Sequence, residues 1–579
     1  MLKSSTAGDP RPAPRPATPL RGADLILRTL EQEGVELCFG IPGGAILPLY
    51  DALARGTTIR HVLTQHEQGA GHMAEGYARC SGRPGVVFAT SGPGATNVVT
   101  PIANAAMDST PLLVISGQVR SDLIGTDAFQ ECDIVSVSRP LVKGCWQVRD
   151  VDELERVVRE GYRLAAQGRP GPVLVDVPRD VQEATVRHRE SAADVHPRVS
   201  IELAQEEAVA AVAEALERAR RPILYVGGGA VIAEAGAEVQ ALAEVARVPL
   251  VTTLMGKGVV PESHSLNFGC PGMHGGKWAN WGLGMADLIV AIGARFDDRV
   301  TGRVDEFAPH ATVAHYDVDP REIGKIRHAD LPVLGELRDA LARTRHALTG
   351  PAESQAWIGQ MRGWRERFPL RYAERSPRLK PQRVMEVLDE VVGRRAEVVW
   401  TTGVGQHQMW AMQYLRCEAP RRFVTSGGHG TMGFGLPAAL GVRAAMPRAT
   451  VVCVDGDGSF MMTCQELATA VSENLPVIAV VVNNGGLGMV EQWQKMFYEE
   501  RLSQVAAPPR TDLATVARGF GARGITIGDE VELRAALGEA LAAGETCVLD
   551  VHVDPGETLL PMIQPGAAAV DMLEYQGDE

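Results

Sequence analysis

Two apolar runs joined by a helical stretch constrain this chain more than any other segment. Val451–Val454 reads as a buried strand and ends in Gly456-Asp457-Gly458-Ser459. Helical spacing follows from Phe460 to Ser472. After Pro476 a second run, Val477–Val482, ends in Asn483-Asn484-Gly485-Gly486. A crossover of this kind returns the chain to the same edge of one parallel sheet, so both polar clusters lie at its carboxyl edge, where ligands bind. Asp457 supplies a hard carboxylate and Asn484 an amide oxygen, and the glycines let backbone groups approach closely. That donor set suits octahedral Mg²⁺ carrying a diphosphate. Taken singly, Gly-Asp-Gly is also a turn and Asn-Asn a capping pair. Both together, each ending an apolar strand, favour a ligand.

The same alternation runs along the chain. Helices are expected at 24–33, 45–54, 68–79 and 95–106, and strands at 35–39, 59–64 and 86–90. Short apolar strands alternating with amphipathic helices predict an α/β fold of doubly wound parallel sheets, covered on both faces. The 579 residues suffice for about three such domains. The expected division is a disordered tail at 1–20, domains at 21–187, 200–345 and 380–560, and a C-terminal tail at 561–579. Residues 186–200 and 343–380 read as linkers. In the central domain, Ile223–Val226 is followed by Gly227-Gly228-Gly229, and strands are expected at 287–292 and 313–318.

Composition excludes several classes. Lys+Arg 57 against Asp+Glu 71 leaves a net charge of −14, which argues against nucleic-acid or acidic-membrane binding. No run of about 18 apolar residues offers a membrane span. The nine cysteines are scattered without a Cys-x-x-Cys pair, which fits a reducing, cytoplasmic setting. Pro10, Pro12, Pro14, Pro16 and Pro19 forbid a helix in the N-terminal tail, and the tail has no apolar signal region, so an organelle leader is not expected.

The Gly-Asp-Gly to Asn-Asn arrangement resembles the motif of thiamine-diphosphate-dependent decarboxylases and carboligases. By that resemblance Asp457, Asn484 and the Gly486 carbonyl are the metal ligands. His66-Glu67-Gln68-Gly69-Ala70 matches the family segment whose glutamate bonds the aminopyrimidine ring, which makes Glu67 the catalytic acid. Alone, an acid there is also a favourable charge at a helix N-terminus. Ser91–Asn97 resembles the family's Gly-rich loop, and Val404-Gly405-Gln406-His407 the loop that holds the diphosphate. Met432, in Gly430-Thr431-Met432-Gly433, resembles the wedge that bends thiamine; otherwise it is a gap-filler. Gly44, Gly456, Gly458, Ser459, Leu487, Gly488 and Met489 complete the cofactor set implied.

Within that family the chain is most similar to acetohydroxyacid synthase (acetolactate synthase) catalytic large subunits. The narrow signatures are Ile124–Glu131, Arg295–Gly302 and Gly488–Gln494. The second is typical of FAD-containing members. The resemblance therefore implies FAD in a non-redox role, lined by Arg169, Gly227, Gly228, Gly229, Thr253, Met273, His274, Gly293, Arg295 and Asp317. Without it, Gly227–Gly229 reads equally as a plain βα turn, since the dinucleotide fingerprint is missing. The resemblance places Phe129, Gln130, Arg299 and Trp493 near substrate, with Trp493 matching the tryptophan that favours 2-ketobutyrate. Trp493 is also readable as a helix-face aromatic in a subunit contact, and Arg299 as a partner of Asp297 or Asp298.

The implied reaction is decarboxylation of pyruvate and ligation of the remaining two carbons to a second 2-keto acid, in branched-chain amino-acid biosynthesis. A homodimer or homotetramer and a regulatory small subunit are the implied partners. Glyoxylate carboligase, pyruvate oxidase, a silent cofactor-binding subunit and an NAD dehydrogenase are the rival readings. Lys143-Gly144, Gly276-Lys277-Trp278 and Arg120 depart from the common family pattern.

Overall fold

The computed structural model describes residues 20–186, 201–373, 376–393, 395, 397–505 and 511–575. Residues 1–19 of the expected tail at 1–20, and residues 187–200 of the first linker, lie outside the described residues.

Three parallel sheets with largely buried central strands form the body of the molecule, and a short antiparallel pair, Met562–Ile563 with Met572–Leu573, follows near the C-terminus. The first contains β1 (Leu37–Gly40), β2 (Arg60–Leu63), β3 (Gly85–Ala89), β4 (Leu112–Gln118), β5 (Gly144–Gln147) and β6 (Pro172–Pro178), in the order β2-β1-β3-β4-β6-β5. The central sheet contains β7 (Pro222–Val226), β8 (Leu250–Thr252), β9 (Leu288–Ile292), β10 (Thr312–Asp317) and β11 (Leu331–Leu334), in the order β11-β10-β9-β7-β8. The third contains β12 (Val398–Thr402), β13 (Phe423–Val424), β14 (Thr450–Gly456), β15 (Ile478–Asn483), β16 (Arg523–Ile527) and β17 (Cys547–His552), in the order β13-β12-β14-β15-β17-β16. Counted from its own first strand, the third sheet repeats the order of the first: 2-1-3-4-6-5 in both. No described helix is long and apolar enough to cross a membrane.

The first and third units share one core, in which Met73 and Tyr77 pack with Leu436, Ala439 and Leu440. Their helices, Glu67–Ser81 and Gly435–Ala445, touch backbone to backbone. A Cβ at Gly441 would lie 1.8 Å from the Met73 carbonyl oxygen, and one at Gly76 would lie 2.2 Å from that of Ala438. This contact fixes the position of Glu67 relative to the third sheet.

Three expectations need correction. The stretch 343–380 is not simply a linker: helix Leu337–Ala347 runs into it, and helix Gln355–Arg367 buries Trp357, Ile358 and Met361 in the central core. The Phe460–Ser472 helix is broken into Asp457–Phe460 and Glu466–Ser472, because Thr463 in the break donates its hydroxyl to the Gly433 carbonyl at 2.9 Å. The 95–106 helix is two pieces, Pro93–Asn97 and Val99–Asp108.

The C-terminal segment leaves the third unit and straps the central one. The Ile563 N–H donates to the Met273 carbonyl at 2.8 Å, and Trp281 Nε1 donates to the Val570 carbonyl at 3.1 Å. Lys277 lies over the Trp281 and Phe368 rings and pairs with Glu574 at 2.5 Å. The unusual Lys277 is thereby a clasp for this strap. Lys143 caps helix Leu154–Ala166, donating to the Leu164 carbonyl at 2.6 Å.

Candidate active site

The two polar clusters of the third unit do leave adjacent strands. β14 and β15 are paired with Gly456 opposite Val482, so Asp457 and Asn484 emerge side by side at the carboxyl edge. The Gly485 N–H donates to Asn483 Oδ1 at 3.1 Å, and burial, reinforced by nearby Asp550, pushes the Asp457 carboxyl up to about 6. Beneath it, fully buried Asp455 is pushed up to about 7, again by burial first. Its Oδ2 has no hydrogen-bond partner among the described residues. Buried carboxyls without a compensating cation are costly, and this set of hard oxygens matches what a divalent cation needs. No group of three or more His, Cys, Asp or Glu side chains gathers as a metal site among the described residues. A site of one carboxylate, one amide oxygen and one carbonyl is of a different kind.

The loop after β12 faces these strands. Val404-Gly405 leads into helix Gln406–Tyr414, whose first N–H groups point to the same edge, a ready anion site. His407 is buried, and that burial pushes its imidazole down to about 3. Its Nε2 stands 3.4 Å from Asp455 Oδ1, without the geometry of a hydrogen bond. Gly456 leaves room for this ring, since a Cβ there would lie 2.6 Å from His407 Nδ1. A Cβ at Gly458 would come within 2.7 Å of Leu487 and 3.7 Å of Met432, so these three converge. At Gly488 it would strike Gln406 Oε1 and Asn484 Nδ2. Ser459 Oγ accepts the Gly433 N–H at 2.9 Å and fastens the Met432 turn.

Gly44, Glu67, Phe129 and Gln130 gather instead at the carboxyl edge of the first sheet. Glu67 opens helix Glu67–Ser81, with His66 as its N-cap. Asn97 Nδ2 donates to Glu67 Oε2 at 2.9 Å. A Cβ at Gly94 would lie 3.1 Å from Oε1, so glycine keeps that oxygen uncrowded. Gln130 (φ +62°) rests on Gly92, where a Cβ would be 2.9 Å from the Gln130 carbonyl oxygen. Phe129 is 87% exposed. Gly44 starts the short turn Gly44–Ile46 after β1. Among the described residues, no hydrogen bond or ion pair joins Glu67 to the Asp457–Asn484 cluster.

The central unit contributes a cavity of about 730 Å³ that opens against the third unit. All ten residues expected around FAD line it: Arg169, Gly227, Gly228, Gly229, Thr253, Met273, His274, Gly293, Arg295 and Asp317. So do Arg299, Val404, Gly405, Met489 and Trp493. The glycines have a packing role as well, since a Cβ at Gly227 would lie 2.2 Å from the Gly293 carbonyl oxygen. Arg169 is not free: it pairs with Glu322 at 2.6 Å and donates to Ser109 Oγ at 2.8 Å. Arg299 is 3.9 Å from Asp298, with 61% of its side chain exposed.

Comparison with known proteins agrees along the whole chain. Models of the thiamine pyrophosphate enzymes match three times: the N-terminal TPP binding domain over residues 20–137, the central domain over 209–344, and the C-terminal TPP binding domain over 403–551. The chain is 45% identical to acetolactate synthase of Mycobacterium bovis, over 96% of this chain and 92% of that protein. The chain belongs to the acetolactate synthase family of thiamine pyrophosphate enzymes. It is also 44% identical to acetolactate synthase isozyme 3 large subunit of Escherichia coli, over 96% of this chain and 98% of that one. With the probable acetolactate synthase large subunit of Methanocaldococcus jannaschii the identity is 40%, over 96% and 95%.

Some residues of this acetolactate synthase family site carry no local signal in the sequence. Asn97 is one more residue of a Gly-rich loop until its contact with Glu67 is seen. Asp108 accepts the Gly427 and Gly428 N–H groups at 3.1 and 2.7 Å, and Asn104 Oδ1 accepts from Ser426 and Thr431 hydroxyls at 2.5 and 3.0 Å. Both lie in helix Val99–Asp108, and from the first unit they hold the loop that lines the cavity. Their partners are more than 300 residues away in sequence, so no local spacing announces them.

Proposed function

We propose that this chain is a thiamine-diphosphate-dependent acetolactate synthase. It decarboxylates pyruvate and ligates the two-carbon unit to a second 2-keto acid, pyruvate or 2-ketobutyrate, as a step of branched-chain amino-acid biosynthesis. The observation that carries this reading is the meeting of Asp457, Asn484, Gln406 and Met432 at one sheet edge, in a chain that also presents Glu67 at the corresponding edge of the first sheet.

When bound, thiamine diphosphate supplies a carbon nucleophile and an electron sink. This chain's residues would bind and orient it. Asp457, the Asn484 amide oxygen and the Gly486 carbonyl would hold Mg²⁺, which screens the buried carboxylates and carries the diphosphate. The first N–H groups of the Gln406–Tyr414 helix would meet the phosphate oxygens. Met432, with Leu487 beside Gly458, would wedge between the cofactor's rings. Glu67 would exchange a proton with the pyrimidine ring nitrogen, its Oε2 held by Asn97 so that Oε1 points the proton. Phe129, Gln130, Arg299 and Trp493 would surround the keto acids.

FAD belongs in the 730 Å³ cavity in a non-redox role. Its lining includes both Asp317 and Gly430, and its glycine-lined wall permits close approach of a phosphate. The active form is at least a homodimer, with Glu67 of one chain serving the Asp457 cluster of the other, and a regulatory small subunit is a further partner. The setting is cytoplasmic. The test is to incubate the purified chain with pyruvate, thiamine diphosphate, Mg²⁺ and FAD and to follow acetolactate. Acetolactate formation at one per two pyruvates supports the reading. Acetaldehyde or acetate as the main product would replace it with a decarboxylase or an oxidase.

A further inference from the structure

Helix Gly488–Phe497 carries Met489 and Trp493 into the cavity wall, yet Gln492 is its only fully buried residue. The Gln492 amide is bonded from two other parts of the chain. Its Oε1 accepts from Gln406 Nε2 at 2.8 Å and from the Leu559 N–H at 2.9 Å. Its Nε2 donates to the Leu559 carbonyl at 3.2 Å. Gln406 opens the helix that faces the diphosphate site, and its Oε1 lies 3.4 Å from Asn484 Nδ2. Leu559 begins the strap that crosses to the central unit.

Trp493 has no comparable support. Its Nε1 is buried without a hydrogen-bond partner, and its ring lies edge-on to Phe497 at 5.7 Å. The helix's other polar contacts are at the surface: Glu491 with Lys495, and Gln494 with Ser503. The place of Trp493 is therefore inherited from the helix, which is held by the Gln492 hydrogen bonds together with Met489, packed against the third unit's core. A buried amide with its donors and acceptors matched specifies one arrangement, whereas an apolar side chain of the same volume tolerates several.

We infer that Gln492 is a positioning residue for acceptor specificity, fixing helix Gly488–Phe497 between Gln406 and Leu559 so that Trp493 holds its place in the cavity wall. This rests on the acetolactate synthase reading and on Trp493 meeting the alkyl group of the acceptor. Pyruvate and 2-ketobutyrate differ by one methylene, a difference that a pocket reads by about 10- to 200-fold at best. Such discrimination needs a wall that does not shift.

Three variants test this in the full chain. Gln492→Met keeps the volume and removes the hydrogen bonds. Gln492→Glu keeps the shape and the acceptors but removes the donor to Leu559. Trp493→Leu is the control. With both keto acids supplied together, the ratio of the two products should move at least fivefold from the wild-type value in all three. Without substrate or cofactor, amide hydrogens of residues 491–497 should exchange at least tenfold faster in Gln492→Met, while those of β12, β14 and β15 keep their rates. If Trp493→Leu moves the ratio and both Gln492 variants leave it unchanged, the positioning role is overturned and the reading of Trp493 stands. If Trp493→Leu leaves the ratio unchanged, the reading of Trp493 fails and the inference with it. Unchanged exchange in Gln492→Met also overturns it. Should Gln492→Met not fold, Gln492→Glu carries both measurements.

Discussion

The Glu466 carboxylate, in the third unit, accepts the backbone N–H of His66 at 3.0 Å, one residue before Glu67 in the first. It also accepts the Gln65 N–H and the Thr469 hydroxyl, and it is fully buried. Only glycine fits opposite it, since a Cβ at Gly69 would lie 2.2 Å from its Oε1. Seven residues on, Glu473 accepts the Leu63 N–H at 3.2 Å, so one helix face grips the whole segment that leads to Glu67. The position of Glu67 thus depends on the third unit of its own chain.

Burial pushes the Glu466 carboxyl from its ordinary 4.5 up to about 7. Between those values the folded chain keeps a proton that the unfolded chain has lost, so stability falls as the pH rises. Below 4.5 both states are protonated, and above 7 the loss is complete at about 3 kcal/mol. Glu466→Gln removes this slope. Its unfolding free energy by urea titration, relative to wild type, should therefore climb by about that amount from pH 4.5 to pH 7. A difference that stays flat across the range would mean that Glu466 does not titrate there.

Asp457→Ala should weaken Mg²⁺ and thiamine diphosphate together, because in the proposed function the diphosphate would be held through the metal. Half-maximal activity should need at least tenfold more of each. Cofactor titrations check this, and an unchanged requirement would place the metal elsewhere.

FAD should copurify with the chain, and its redox state should not matter to turnover, because ligating two keto acids moves no net electrons. Activity with chemically reduced FAD should equal that with oxidised FAD. Loss of carboligation on reduction, or oxygen consumed in step with turnover, would favour an oxidase.

Much of this was legible in the sequence because it is local. Asp457 and Asn484 each end an apolar strand, so their shared edge follows from the crossover rule. The repeating βα rhythm gave the three parallel sheets for the same reason. What was not legible depends on distant packing. The break at 461–465 exists because Thr463 and Ser459 dock the Met432 turn, some 30 residues earlier in the chain. Helix Gln355–Arg367 carries enough charge to read as a linker until the core that takes Trp357 and Met361 is known. Asn97, Gln492 and Glu466 are ordinary polar residues in sequence, and their importance comes from a partner on another element.

In the proposed homodimer, Glu67 of one chain and Asp457 of the other serve one composite site. Within one chain they stand at the carboxyl edges of different sheets, and Glu67 is bonded to Asn97 rather than to the third unit's cluster. Glu67→Gln should fold and bind cofactor but lose kcat by orders of magnitude, since an amide cannot exchange the proton. The direct measurement is to mix Glu67→Gln protein with Asp457→Ala protein at cofactor concentrations that saturate wild type but leave each variant alone nearly inactive, allow subunits to exchange, and assay acetolactate. A heterodimer then has one site with both defects and one with neither, so activity should return. Stable heterodimers that remain inactive would contradict the composite site and place both residues in a site within one chain.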